Sequence, residues 1–211
     1  MANYFLGIDN GGTMSKAALF DEKGMEIAVA SKMVQIIRPQ SGWSERDASK
    51  MWEDTIWVIQ EAIHSSGIKP DQIKAIACTG FGNGLFLVDQ EGDPVRNAIN
   101  STDSRAQSYI DKWIDQGIGE KALPLTTQTI WAAQPNALLS WLREKEPESM
   151  EKASWVLLAK DFIRLKLTGE VYAEITDMSG SSLMNVVSGD YDNNVLEIFG
   201  LDFPNVLIAI A

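Results

Sequence analysis

The stretch Leu6–Phe20, LGIDNGGTMSKAALF, leaves the start of the chain few options. An apolar run ends at Asp9, two glycines and a threonine follow, and apolar residues resume after Lys16. From Lys16 the sequence runs straight into a second turn signal, Asp21-Glu22-Lys23-Gly24, so no helix fits after the glycines. The prediction is strand, tight turn, strand. That excludes a Walker A loop, which needs Gly-x-x-x-x-Gly-Lys-Ser/Thr, and a Rossmann turn, which needs Gly-x-Gly-x-x-Gly opening a helix. Two readings of the turn remain. In one, Asn10 and Gly11 supply the positive φ of a plain hairpin. In the other, Gly11 and Gly12 let a phosphate approach their N–H groups while Asp9 holds a hydrated Mg²⁺. Asp9 favours the second, because a carboxylate closing an apolar strand is costly to bury without a partner.

Tyr4–Asp9, Ser15–Phe20 and Met25–Val34 read as three successive antiparallel strands. Ser44-Glu45-Arg46-Asp47 fits a Ser-x-x-acid helix start, followed by an apolar stripe at Met51, Trp52, Thr55, Ile56, Ile59, Ala62 and Ile63. Gly67 is the expected stop. Ile73–Cys78 is almost wholly apolar, the mark of a strand buried on both faces. Leu85–Asp89 and Pro94–Ile99 read as a hairpin around Gln90-Glu91-Gly92-Asp93. Helices are expected over Asp103–Gln116, Gln134–Lys145 and Asp161–Leu167, with a short apolar segment at Trp155–Leu158. The order β-β-β-α-β followed by helices makes this an α/β domain with a mixed sheet flanked by helices.

Composition narrows the partners. The net charge of −11 weighs against nucleic acid and anionic membranes, which call for a basic face. No run approaches the roughly 18 apolar residues that span a bilayer. The N-terminus carries no cleavable signal pattern, and the single cysteine, Cys78, suits a reducing compartment, so a cytoplasmic location is expected. His64, the only histidine, is expected at an exposed helix end, which excludes His-dependent triads.

Two further places carry chemistry on one reading and plain structure on another, and two more read as structure. Thr79-Gly80-Phe81-Gly82-Asn83-Gly84 is either a connection or a ligand-facing loop, since open α/β sheets bind ligands at the carboxyl ends of their strands. Asp103 and Arg105 are either a helix cap with a surface charge or a carboxylate placed for a vicinal diol. Thr176-Asp177-Met178-Ser179 reads as a turn-forming motif. Gly42-Trp43-Ser44-Glu45-Arg46-Asp47 reads as a capping segment with a packing tryptophan.

In order, Gly7-Ile8-Asp9-Asn10-Gly11-Gly12-Thr13, Gly42–Asp47, Asn97-Ala98-Ile99 leading to Asp103-Ser104-Arg105, Leu167-Thr168-Gly169 and Thr176–Ser179 resemble the N-terminal domain of the FGGY carbohydrate kinases. Gly84–Leu87, Thr129-Ile130-Trp131 and Leu138–Leu142 are similar to the pentulose kinases of that family. The resemblance implies a ribonuclease H-like (actin-like ATPase) fold over residues 1–211, incomplete at its C-terminal end, with a second, adenosine-binding domain absent from this chain. It implies transfer of a phosphoryl group from ATP, with Mg²⁺, to a small-molecule sugar, a ketopentose such as L-xylulose. Asp9 would be the metal residue, Gly11, Gly12, Thr13 and Lys16 would cradle the phosphate, and Asn83, Gly84 and Asp103 would hold the sugar. Ser101 stands where many members carry tryptophan, which implies a more open or more polar subsite. The resembling family takes the sugar's proton with an aspartate in a Gly-Gly-x-x-Asp segment; none follows Asp177, so the base is expected beyond Ala211 and this chain alone is expected to be inactive. A homodimer is entertained for the full-length form. The rival expectations are another actin-like ATPase or small-acid kinase, and a non-catalytic half that binds sugar or a protein partner.

Overall fold

Alternation along the first two strands decides what lies on each side of the sheet. In β1 (Tyr4–Asn10) and β2 (Met14–Asp21), the residues Leu6, Ile8, Asn10, Ser15, Ala17 and Leu19 are buried on one face. Phe5, Gly7 and Asp9, with Lys16, Ala18 and Phe20, point to the other, as a period of two requires. β3 (Glu26–Met33) pairs antiparallel with β2, giving the three-stranded meander expected from sequence. β4 is a two-residue strand, Glu45–Arg46. The helix α1 (Ala48–Ser66) then lays Val58 and Ala62 on Leu6, Ile8, Ala17, Leu19 and Ala30. Asp47, not Ser44, caps α1 by accepting the Lys50 N–H, and Gly67 closes it at φ 68°. β5 (Ile73–Gly80) returns parallel to β1 and completes the order β3-β2-β1-β5. These coordinates are a computed structural model that describes residues 2–201.

β5 differs from expectation. Its apolar run predicts burial on both faces, yet it is an edge strand and Ala75, Ile76 and Ala77 are exposed. Among the described residues nothing covers the sheet face opposite α1, where Phe5, Ile27 and Val29 are exposed, Val29 to 52%.

The second half of the chain builds its own core. β6 (Phe86–Val88) and β7 (Ala98–Ile99) lie on the expected hairpin, but β6 takes β8 (Trp155–Leu157) as its strand partner and β7 takes β4. The helices are α2 (Gln107–Asp115), α3 (Ile118–Thr126), α4 (Pro135–Lys145), α5 (Pro147–Lys152), α6 (Ala159–Thr168), α7 (Ile175–Met178) and α8 (Asn193–Ile198). Leu138, Leu139 and Leu142 of α4 join Phe86 and Phe162 in the centre, the two rings stacked at 5.3 Å. α2 starts at Gln107 rather than Asp103, because the preceding residues are committed to a buried ionic network. α3 has no counterpart among the expected helices; Gly119 and Pro124 within it weaken the helical signal. Among the described residues no helix is long and apolar enough to cross a membrane. The apolar run Phe203–Ala211 lies outside the described residues.

Candidate phosphate and sugar site

Asp9 closes β1 with Lys16 as its antiparallel partner and Thr79 of β5 as its parallel one. Asp9 and Lys16 line a shallow cavity of about 370 Å³ on the face opposite α1, with Gly7, Ala18, Phe20 and Ala77. Neither Asn10 nor Gly11 has positive φ, so the glycines are not there for a left-handed turn. Among the described residues a Cβ on Gly12 would meet nothing within 4 Å, and one on Gly11 would sit 3.4 Å from the Met14 carbonyl. Among the described residues no acceptor takes the N–H of Gly11, Gly12 or Thr13. Unclaimed amides beside a lysine and a carboxylate fit a phosphate and a partly hydrated divalent cation.

The turn is held from behind. Asn10 is fully buried, and its Oδ1 accepts the Ser15 hydroxyl at 2.7 Å and the Thr55 hydroxyl at 3.1 Å. Arg46 donates from Nη2 to Ser15 Oγ at 2.8 Å and from Nη1 to the Gly11 carbonyl at 3.3 Å. Burial brings the Arg46 guanidinium down to about 10, which leaves it cationic at neutral pH. Sequence reasoning gave Arg46 only a capping context. No local pattern signals that an arginine 35 residues away reaches the turn.

The Phe81–Gly84 loop is fastened to the same turn: the Phe81 N–H donates to the Asn10 carbonyl at 3.1 Å, and a Cβ on Gly80 would lie 3.1 Å from that oxygen. Asn83 sits at φ 59°, and its Oδ1 is buried without a hydrogen-bond partner. Gly84 has a structural reason to be glycine. At φ 72° a Cβ there would fall 2.4 Å from the Ile99 carbonyl.

Behind the loop lies a group of carboxylates around Lys160, whose Nζ is 2.5 Å from Glu174 Oε2 and 3.9 Å from Asp177 Oδ2. Burial works against ionised Glu174, but Lys160, the Thr176 hydroxyl and two backbone N–H groups outweigh it and bring Glu174 to about 2. Burial pushes Asp177 up, opposed by Lys160 and reinforced by Glu174. Asp161 is pushed to about 6 by burial, against a hydrogen bond from the Glu174 N–H.

Asp103 is held in a buried ionic network. Its side chain is wholly buried. Oδ2 accepts the Ser44 N–H at 2.6 Å and Arg105 Nη2 at 3.0 Å; Oδ1 accepts the Arg105 N–H at 2.8 Å and its Nε at 3.0 Å. Arg105 also bonds Glu45 at 2.8 Å and lies 4.0 Å over the Trp43 ring. With both oxygens hydrogen-bonded, Asp103 ties the Gly42–Arg46 segment to the residues that lead into α2. So the structure gathers Asp9, Gly11, Gly12, Thr13 and Lys16 at one turn, brings Asn83 and Gly84 beside it, and leaves Asp103 in the interior.

A strand-turn-strand glycine turn on a β3-β2-β1-β5 sheet backed by a crossover helix is the arrangement of the actin-like ATPase fold. The profile of the "FGGY family of carbohydrate kinases, N-terminal domain" matches residues 4–209, and the chain belongs to that family. Over 95% of its length it is 42% identical to a protein of Pasteurella multocida named as a probable L-xylulose kinase, and 39% identical to the L-xylulose/3-keto-L-gulonate kinase of Escherichia coli. It spans 41% and 40% of those two relatives. Among solved structures, the xylulose kinase of Rhodospirillum rubrum superposes with a TM-score of 0.90 at 22% identity, over 99% of this chain and 43% of that one. The ligand-bound xylulose kinase of Lactobacillus acidophilus gives 0.88 at 25% identity, over 99% and 42%.

Proposed function

We propose that this chain is the phosphate- and sugar-holding portion of an ATP-dependent kinase whose acceptor is a ketopentose such as L-xylulose. The observation that carries the reading is the Asp9–Lys16 turn, with its bare glycine amides, in a chain about two-fifths identical to proteins named for L-xylulose. Gly11, Gly12, Thr13 and Lys16 receive the oxygens of the transferring phosphate. Asp9 would hold Mg²⁺, which would supply positive charge beside the phosphates. Asn83, at the mouth of the β5 loop, faces the sugar. The Phe81–Asn10 hydrogen bond fixes the distance between the two ends of the site. We assign the general base to sequence outside these 211 residues, and the protein to the cytoplasm.

Two measurements test this. Calorimetry should detect L-xylulose in preference to glycerol and gluconate; tighter binding of either competitor would overturn the acceptor. An ADP-release assay with ATP, Mg²⁺ and L-xylulose should give no turnover with this chain. Sustained turnover would place the base among the residues given.

A further inference from the structure

Three carbonyls of the glycine turn are taken up by the protein itself. The Asn10 carbonyl accepts the Phe81 N–H at 3.1 Å, the Gly11 carbonyl accepts Arg46 Nη1 at 3.3 Å, and the Thr13 carbonyl accepts the Val34 N–H at 2.9 Å. Two of these donors are backbone groups, and Arg46 is the side chain among them. In a planar trans peptide the C=O and the following N–H point in opposite directions. Holding the Gly11 carbonyl therefore aims the Gly12 N–H the other way. Arg46 reaches the turn from the buried face, where it also bonds Ser15, so the Gly12 N–H is directed outward, away from α1.

The charge of Arg46 is a second observation. The residue is 3% exposed, and among the described residues no carboxylate forms an ion pair with it. Asp54 acts on it only from longer range and is bonded instead by Lys32 at 2.9 Å and Lys50 at 2.8 Å. Glu45, its neighbour in β4, is held by Arg96 and Arg105. A buried cation without a partner is costly. An anion seated on the outer side of the turn would offset that cost, and the unclaimed amides there are the donors such an anion needs.

We propose that Arg46 is a positioning residue for the phosphate turn: it fixes the Gly11–Gly12 peptide with its N–H outward and places a positive charge behind the anion that the turn receives. This rests on the reading of the turn as a phosphate site. Arg46 acts through the turn and does not itself touch the phosphate.

The test is titration of the isotope-labelled chain with Mg·ATP, followed by NMR at the amides of Gly11, Gly12 and Thr13. These resonances should shift in the unsubstituted chain. Arg46→Ala should weaken Mg·ATP about tenfold, and Arg46→Lys, which keeps the charge but cannot fork to two acceptors, about threefold. In both variants the Gly12 resonance should also move before nucleotide is added. Val58→Ala is the control: it empties part of the core under the same sheet, and should lower Tm while leaving the Gly12 resonance and the affinity unchanged. Equal weakening in Val58→Ala would show that Arg46 acts through stability alone, which overturns the proposal. Unchanged affinity in a folded Arg46→Ala, or in Arg46→Lys should the alanine variant fail to fold, overturns the positioning role and leaves the phosphate reading intact. No shift at the turn amides of the unsubstituted chain would overturn both.

Discussion

Arg46 and Asp161 show how differently a buried charge can be used. Arg46 spends its guanidinium on Ser15 and the Gly11 carbonyl, so its removal leaves a buried hydroxyl and the glycine turn without their donors. Arg46→Ala should cost about 2–4 kcal/mol in urea unfolding. Arg46→Lys should recover little, since an ammonium cannot fork to two acceptors in this geometry. Asp161 is the opposite case. Its folded value, about 6, lies above the ordinary carboxylate range, so the folded state holds its proton more tightly than the unfolded chain does. The stability that this binding contributes is present at and below the ordinary aspartate range and is lost as pH rises toward 6. Asp161→Asn should therefore raise Tm by a few degrees at pH 8 and change it little near pH 4, as a calorimetric scan at the two pH values would reveal.

At the scale of elements, the two groups of glycines separate packing from binding. Gly84→Ala forces a Cβ into the Ile99 carbonyl at positive φ and should destabilise by more than about 3 kcal/mol. Gly12→Ala meets open space and should shift stability by less than about 1 kcal/mol, while ATP binding, followed by calorimetry, weakens because a methyl occupies the approach of the phosphate. The meander and α1 were legible in the sequence because period-two and helical spacing are local properties, and the same alternation put Asp9 and Lys16 side by side on one face. β5 was misread because an apolar run reports what a strand could bury, not what lies across from it. The setting of Asp103 was not legible for a similar reason: its partners are Arg105, two residues on, and the Ser44 N–H, which only the packing of the Gly42–Arg46 segment brings near. Asp177 carried a motif but no sign that its carboxylate would be left bare.

Among the described residues, the sheet has one face sealed by α1 and one left uncovered. Phe5, Ile27, Val29 and the cavity beside Asp9 form an apolar surface large enough to attract a hydrophobic dye. The folded chain should enhance 1-anilinonaphthalene-8-sulfonate fluorescence, and Val29→Lys should lower that signal markedly with little change in Tm. Equal fluorescence from the two proteins would place the dye elsewhere.

The pairing of β1 sets an order of events in folding. Its contacts with β2, and those of β2 with β3, link neighbours in the chain, whereas its parallel contact with β5 must wait until α1 has been traversed. Closing short loops first costs the least chain entropy. The glycine turn is thus shaped in the earliest nucleus the topology allows, and the loop carrying Asn83 is assembled onto an anchor already made.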